Sequence, residues 1–320
     1  MLNELNQIGC NPAKFRETSL GSGEWHGPCP WCGGDDRFVI FAKDPFPHWR
    51  FWCRKCHPHW DWIDNINTKL KVLSPLDRVK LATENAKRME VELQAKIEQA
   101  QAVLKDLRES MVWIKYHDSM TEENREQWSQ WGVPTYWQDY WSLGYDENHV
   151  IYYEGQEWHT PTYAIPVFEP VTWNVLNVKH RLMRPPKAND RYRPERKGLP
   201  IEWFVAFTEE PIAGRTLLVE GEKKAMVSFI TIDDPKLQVV GTPTCTPPDY
   251  LLDKLKDCEP IYICLDPDAR GKMPDLAQRL GRERCRIIEL PEKIDDMIIK
   301  YKLDKKWARQ IIQQGIKVMK

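Results

Sequence analysis

Two cysteine knuckles, Cys29-Pro30-Trp31-Cys32 and Cys53-Arg54-Lys55-Cys56, stand twenty residues apart and constrain this 320-residue chain more than any other feature. A two-residue spacing lets a tight turn aim both sulfurs at one point, and a tetrahedral zinc ion needs four ligands converging at about 2.3 Å. The interval holds two strand candidates, Arg37–Phe41 and His48–Trp52, parted by Asp44-Pro45-Phe46-Pro47. Residues 1–66 therefore read as a small β zinc ribbon. Cys29, Cys32, Cys53 and Cys56 are its expected ligands, and four thiolates make the metal structural. His57 and His59 follow the second knuckle and read either as surface residues or as a replacement for one cysteine. Six tryptophans (25, 31, 49, 52, 60 and 62) crowd this zone. Some pack the ribbon; the rest, interleaved with Arg37, Lys43, Arg50, Arg54 and Lys55, suit stacking on unpaired bases while the cations hold phosphates. Trp49, Arg37, Arg50, Arg54 and Lys55 are the candidate contacts.

Charge alone gives no reason to expect such a partner. Lys plus Arg number 46 against 47 Asp plus Glu, so any nucleic-acid surface must be local. No apolar run approaches the roughly 18 residues of a membrane span, and Met1-Leu2-Asn3-Glu4 lacks the start of a secretory signal. A soluble, cytoplasmic protein is expected, in which paired cysteines hold metal rather than form disulfides. The remaining five cysteines (10, 245, 258, 264 and 285) read as buried hydrophobes or inert thiols.

Four further segments follow. Residues 67–118 read as a helical linker: Ser74-Pro75 is a helix start, and Ile97, Ala100, Leu104, Leu107, Met111 and Ile114 recur at steps of three and four. Residues 119–210 form a mixed α+β basic subdomain. Between Lys179 and Lys197 it carries eight Lys or Arg against Asp190 and Glu195. Lys179, Arg181, Arg184, Lys187, Arg191 and Arg193, with Tyr192, are candidate phosphate and nucleotide contacts. Residues 211–300 alternate apolar strands (Arg215–Glu220, Leu237–Gly241, Pro260–Leu265, Arg284–Leu290) with helices (Gly221–Ile230, Pro248–Lys256, Lys272–Gly281). That rhythm implies an α/β Rossmann-like, largely parallel sheet with ligand sites beyond the carboxyl ends of its strands. Residues 301–320 read as a basic amphipathic C-terminal helix.

Two of those strand ends carry carboxylates. Glu220 closes one strand and is followed by Gly221 and a helix beginning Glu222-Lys223-Lys224; Asp266-Pro267-Asp268 closes another. Three close anions repel unless a divalent cation sits among them. Glu220, Asp266 and Asp268 are the candidate catalytic and magnesium-binding residues, and Asp295-Asp296 are candidate further ligands. Lys223, Lys224, Arg270 and Lys272 stand beside them as candidate nucleotide contacts.

The order strand–Glu–Gly–helix, strand–Asp–x–Asp, acidic pair resembles the TOPRIM domain of DnaG-type primases, topoisomerases, certain nucleases and recombination-mediator proteins. The family's Glu falls on Glu220 and its D-x-D on Asp266 and Asp268; Asp295 and Asp296 stand where primases carry a later acidic motif, at altered spacing. A zinc ribbon first, then a basic subdomain, then TOPRIM is similar to the DnaG-type primase arrangement. The string Gly27-Pro-Cys-Pro-Trp-Cys-Gly-Gly-Asp-Asp-Arg-Phe38 resembles primases of phages and mobile elements. The resemblance covers about residues 20–66 and 125–300. It implies RNA primer synthesis on single-stranded DNA from NTPs, with structural Zn²⁺ and catalytic Mg²⁺ or Mn²⁺, in a bacterial or phage-infected cell. Glu220 would be metal ligand or general base; Lys179, Arg181, Arg191 and Tyr192 look like the basic strand and basic-Tyr pair; the ribbon would read the template. No G-x-x-x-x-G-K-[ST] loop is present, so a replicative helicase would be a separate partner. The rival readings are a TOPRIM nuclease and a non-catalytic zinc/TOPRIM recombination or defence factor.

Overall fold

A computed structural model describes residues 2–7, 10–19, 21–63, 75–187, 190–207, 214–313 and 316–317. The chain divides into two compact units, residues 1–98 and 99–320.

In the first unit a short helix, α1 (Leu2–Gln7), precedes an antiparallel sheet whose strands lie in sequence order. They are β1 (Arg16–Glu17), β2 (Glu24–Cys29), β3 (Gly33–Phe41), β4 (Arg50–Cys53) and β5 (His57–Trp62). Strands β1, β2 and β5 are additional to the two strands predicted. Phe38 pairs with Cys53 and Ile40 with Phe51, and all four are fully buried. Leu5, Phe15 and Ile63 complete this small core. Strand periodicity sends alternate residues to the opposite face, where Phe41, Arg50 and Trp62 are register partners across three strands.

Helix α2 (Pro75–Ser110) is a single element of 36 residues, the first of the two forms, long helix or helical hairpin, that its periodicity allows; Ser74 lies outside the described residues. Of its expected stripe, Leu107 is fully buried against Ala164, Val175 and Val178. Met111 is instead exposed, at φ 47°, where the chain breaks into α3 (Val112–Asp118). Helix α4 (Glu122–Gln130) opens on a capping box between Thr121 and Asn124, and α5 (Thr135–Tyr140) follows.

The second unit holds two sheets. An antiparallel meander contains β6 (Gly144–Tyr153), β7 (Gln156–Phe168), β8 (Val175–Leu182) and β9 (Tyr192–Pro194). The six-stranded sheet has the order β10-β12-β11-β13-β14-β15. Its strands are β10 (Phe204–Ala206), β11 (Arg215–Glu220), β12 (Leu237–Thr242), β13 (Ile261–Cys264), β14 (Cys285–Ile287) and β15 (Ile316–Lys317). The central four are parallel and the two edge strands antiparallel. Its helices are α6 (Glu222–Ile232), α7 (Asp249–Leu252), α8 (Met273–Leu280), α9 (Ile294–Tyr301) and α10 (Lys305–Gln313). Two expectations are corrected. Strand β10 comes from the segment read as the basic subdomain yet pairs with β12. The C-terminal helix stops at Gln313, and Ile316 and Lys317 pair with β14 instead.

The main core joins the meander and the six-stranded sheet: Trp128, Trp141, Ile165, Leu217, Val239 and Met226 are all buried in it. Strand β11 is buried on both faces from Thr216 to Val219, as a central parallel strand requires. No helix among the described residues is long and apolar enough to cross a membrane.

Candidate active site

Glu220 is the last residue of β11, and β13 lies beside it in parallel register, Val219 opposite Cys264. The chain leaving β13 at Leu265 delivers Asp266 to the same sheet edge. Gly221 makes the turn out of β11 at φ 88°, a region closed to most side chains, while its N–H donates to Thr242 O at 2.8 Å. Gly241 on β12 is needed just as strictly, since a Cβ there would sit 2.7 Å from the Gly221 carbonyl oxygen.

The first turn of α6 then distributes three successive charges to three elements, because consecutive helical residues point about 100° apart. Glu222, buried, is ion-paired with Lys179 on β8. Lys223 Nζ reaches Asp295 Oδ2 on α9 at 2.7 Å. Lys224 Nζ lies 3.1 Å from Asp266 Oδ2 and donates to Glu220 O at 3.0 Å. A fourth cation, Lys293, stands 3.1 Å from the same Asp266 oxygen. Asp266 and Asp295 are buried, Glu220 is half-buried, and Asp268 and Asp296 are exposed. Burial, reinforced by the charges of Asp266 and Asp268, holds the Glu220 carboxyl above the usual carboxylate range. Glu220 Oε2 and Asp295 Oδ1 are buried without a hydrogen-bond partner among the described residues. Such orphaned acceptors suit an oxygen-seeking hard cation. The ligand atoms of Glu220, Asp266 and Asp268 do not, however, all lie within 4.8 Å of one another, and two ammonium groups hold Asp266.

The predicted basic residues have distinct fates. Arg181 lies with its guanidinium 4.0 Å over the Trp131 ring, one terminal nitrogen buried and unpartnered; Tyr192 is its cross-strand neighbour. Arg193 is paired with Asp190, and Arg270 donates to Leu290 O. Lys187 lies 5.2 Å over the Tyr153 ring. Arg184, Arg191 and Lys272 are exposed. Lys179 is sequestered by Glu222, its side chain 15% exposed. Lys293 and Glu222 were absent from the sequence-derived set; the signal was a charge opening a helix that follows a strand end for Glu222, and a charge at the N-cap of α9 for Lys293.

In the first unit the four cysteines meet. Cys29 Sγ and Cys56 Sγ are 3.5 Å apart, as are Cys32 Sγ and Cys53 Sγ, and all four sulfurs lie within 4.8 Å of one another. A zinc tetrahedron with bonds near 2.3 Å has edges of about 3.8 Å, so the cluster fits that ion. Burial works against a thiolate at Cys53, but backbone N–H groups of Cys56 and Lys55 aimed at its sulfur outweigh it and bring Cys53 down to about 7. Among the template candidates Arg50, Arg54 and Lys55 are exposed and Arg37 half-buried. Trp49 is corrected: it is 4% exposed, donates its indole N–H to Asp44 O at 2.8 Å, and packs the core. The exposed rings are Trp60 and Trp62, at 51% and 46%, with the Arg50 guanidinium 4.7 Å over Trp62.

No family model and no curated protein matches the sequence. Solved structures do match, and they show the fold of the RNA polymerase domain of a DnaG-type primase. In particular, this domain of Mycobacterium tuberculosis DnaG matches with a TM-score of 0.51 and 11% identity, over 68% of this chain and 84% of that one. The same domain in complex with a double-stranded DNA oligomer bearing a 6-nucleotide overhang matches at 0.50 and 10% identity, over 68% and 81%. The zinc-binding and RNA polymerase domains of the Aquifex aeolicus primase are similar over 94% of this chain and 80% of that one, at 18% identity and a TM-score of 0.48.

Proposed function

We propose that the chain is a DNA primase, which synthesises short RNA primers on single-stranded DNA by nucleotidyl transfer. The observation that carries the reading is the meeting of Glu220 and Asp266 at adjacent strand ends, with Asp268 two residues on, in the fold of a primase polymerase domain. The same domain of the mycobacterial primase has been solved with a DNA oligomer, which supports DNA as the partner here.

In the reaction a primer 3′-oxygen attacks the α-phosphorus of an NTP, a P–O bond forms, and pyrophosphate leaves. Glu220, whose buried carboxyl favours a proton more than an ordinary glutamate does, is placed to take up the 3′-hydroxyl proton or to share in holding a cation. Glu220, Asp266 and Asp268, with Asp295 behind them, would hold Mg²⁺ or Mn²⁺, which when bound neutralises charge on the triphosphate. Arg181 and Arg191, with Lys223, Lys224, Arg270 and Lys272, would supply the positive charge that orients phosphates, and Tyr192 a hydroxyl donor beside them. Residues 211–300 then act as a TOPRIM catalytic domain and the zinc ribbon as template reader. The string Gly27–Phe38 supports a phage or mobile element as the setting; the cytoplasm as the compartment and a separate replicative helicase as the partner complete the proposal.

The test is extension on defined single-stranded templates with labelled NTPs and Mg²⁺. Products that lengthen with NTP, and vanish in Glu220→Ala and Asp266→Ala, support the proposal. Template cleavage without NTP identifies a nuclease instead.

A further inference from the structure

Asp266 carries one negative charge but meets two ammonium groups on a single oxygen, Lys224 and Lys293 each at 3.1 Å from Oδ2. Together they bring to that oxygen the charge of one divalent ion, and at a shared oxygen they repel each other. The two lysines are not equivalent. Lys224 sits in the first turn of α6, its side chain is 15% exposed, and its ammonium is also held by Glu220 O at 3.0 Å. Lys293 lies in the turn before α9, its side chain is 48% exposed, and Asp266 is its one hydrogen-bonding partner among the described residues. The charges facing it are those of Asp266, Asp268 and Asp295, with Glu220 close enough to feel it.

From this geometry we infer that Lys293 is an exchangeable counter-cation of the acidic site: it occupies Asp266 when no divalent ion is bound, gives way when one arrives, and is then free to pair with the triphosphate. The inference rests on the primase reading above, and it assigns Lys293 a positioning role. Lys224 cannot leave so cheaply, because its ammonium would forfeit the Glu220 carbonyl as well. Lys293 loses one partially solvated ion pair, a modest cost, and regains an anion when phosphate oxygens enter. Two opposite effects follow from removing it. The bare cation gains affinity, having one ammonium fewer to displace while Lys224 stays in place; the phosphate loses affinity, having lost a partner.

The experiment measures Mn²⁺ binding to the zinc-loaded full chain by electron paramagnetic resonance, then tripolyphosphate binding in saturating Mn²⁺ by calorimetry. Lys293→Met is expected to bind Mn²⁺ about three- to tenfold more tightly and tripolyphosphate weaker by a similar factor; Lys293→Arg should stay near wild type in both. Lys293→Gln serves as a second neutral variant, and melting curves verify that each is folded. Unchanged or weaker Mn²⁺ binding in both folded neutral variants overturns the inference. Wild-type Mn²⁺ affinity in Asp266→Asn overturns the underlying reading of the acidic site, a result separable from the first because it does not involve Lys293.

Discussion

His149 and His180 stack face to face, their ring centroids 3.7 Å apart and their planes 12° from parallel. His180 is fully buried on β8, its Nε2 2.8 Å from Glu195 Oε2 and its Nδ1 2.8 Å from Thr162 Oγ1. His149 Nδ1 faces Asp146 Oδ2 at 3.2 Å, and Tyr116 donates its hydroxyl to Glu195 Oε2 at 3.0 Å. Two protonated imidazoles cannot share this stack. The partners assign a neutral His180 that donates from Nε2 and accepts from the Thr162 hydroxyl.

Acid sensitivity follows from that arrangement. Burial lowers the His180 pKa from 6.5, more than Glu195 raises it. For Glu195 burial pushes upward, but hydrogen bonds from His180 and Tyr116 and the Arg196 charge hold the carboxyl below 4.5. Both groups bind protons more readily in the unfolded chain, so stability rises with pH wherever they titrate. Unfolding free energy from urea melts should be level above neutrality, fall as pH drops below 6.5, and fall further below 4.5. In His180→Gln the first decline should disappear. Equal stability of the wild type at pH 7.5 and pH 5 would refute the assignment.

Trp49 and Trp62 should fail in different ways when truncated. Trp62 is 46% exposed beneath Arg50, whereas Trp49 is 4% exposed in the ribbon core. Trp62→Ala is expected to keep the ribbon folded and weaken single-stranded DNA binding by about 1–3 kcal/mol, the range for one base stacked on an aromatic ring. Trp49→Ala should cost about 3–5 kcal/mol of stability through the cavity it leaves. Fluorescence anisotropy with a labelled oligonucleotide, beside thermal melts, separates the two.

The contrast between these tryptophans shows where sequence reading stops. The knuckles, the strands Arg215–Glu220 and Ile261–Cys264, and the carboxylates closing them were legible because each is a local pattern: fixed spacing, an apolar run, a terminating Glu or Asp. Which tryptophans face solvent depends on β4–β5 register, Arg50 opposite Trp62, and β5 carries no uninterrupted apolar signal. The pairing of Lys293 with Asp266 is set by how α9 packs against α6, which no local pattern encodes. Strand β15 is of the same kind: two residues whose pairing is decided by β14.

Zinc should be needed for the first unit and not for the second. The ribbon's fully buried side chains are few, and Cys53 is itself part of that core, so metal binding and folding are coupled. The purified chain is expected to carry about one zinc per molecule. Chelation, or Cys53→Ser, should abolish the cooperative melt of the ribbon while leaving the hydrogen-exchange protection of β11 and β13 intact. Primer synthesis from a primed template should then persist in part, and initiation on unprimed DNA should be lost. Full initiation by metal-free protein would remove the ribbon from template reading.

Glu220→Gln should separate stability from activity. With its Oε2 buried and unpartnered, and Asp266 and Asp268 adding repulsion, the ionised carboxylate is the disfavoured form. Because the pKa is raised, the strain is absent below the carboxyl's titration and develops as pH climbs through it. An amide of the same shape removes the charge, so in metal-free buffer at neutral pH the variant's Tm should rise by a few degrees, corresponding to roughly 1 kcal/mol. That gain should shrink toward zero at pH 4, where the wild-type carboxyl is itself protonated. Primer synthesis, in contrast, should fall by about 10²-fold or more, the range for loss of a positioned acid–base group. A variant destabilised at neutral pH would mean that the Glu220 carboxylate already has a structural partner, and one that still made primers would remove Glu220 from the chemistry.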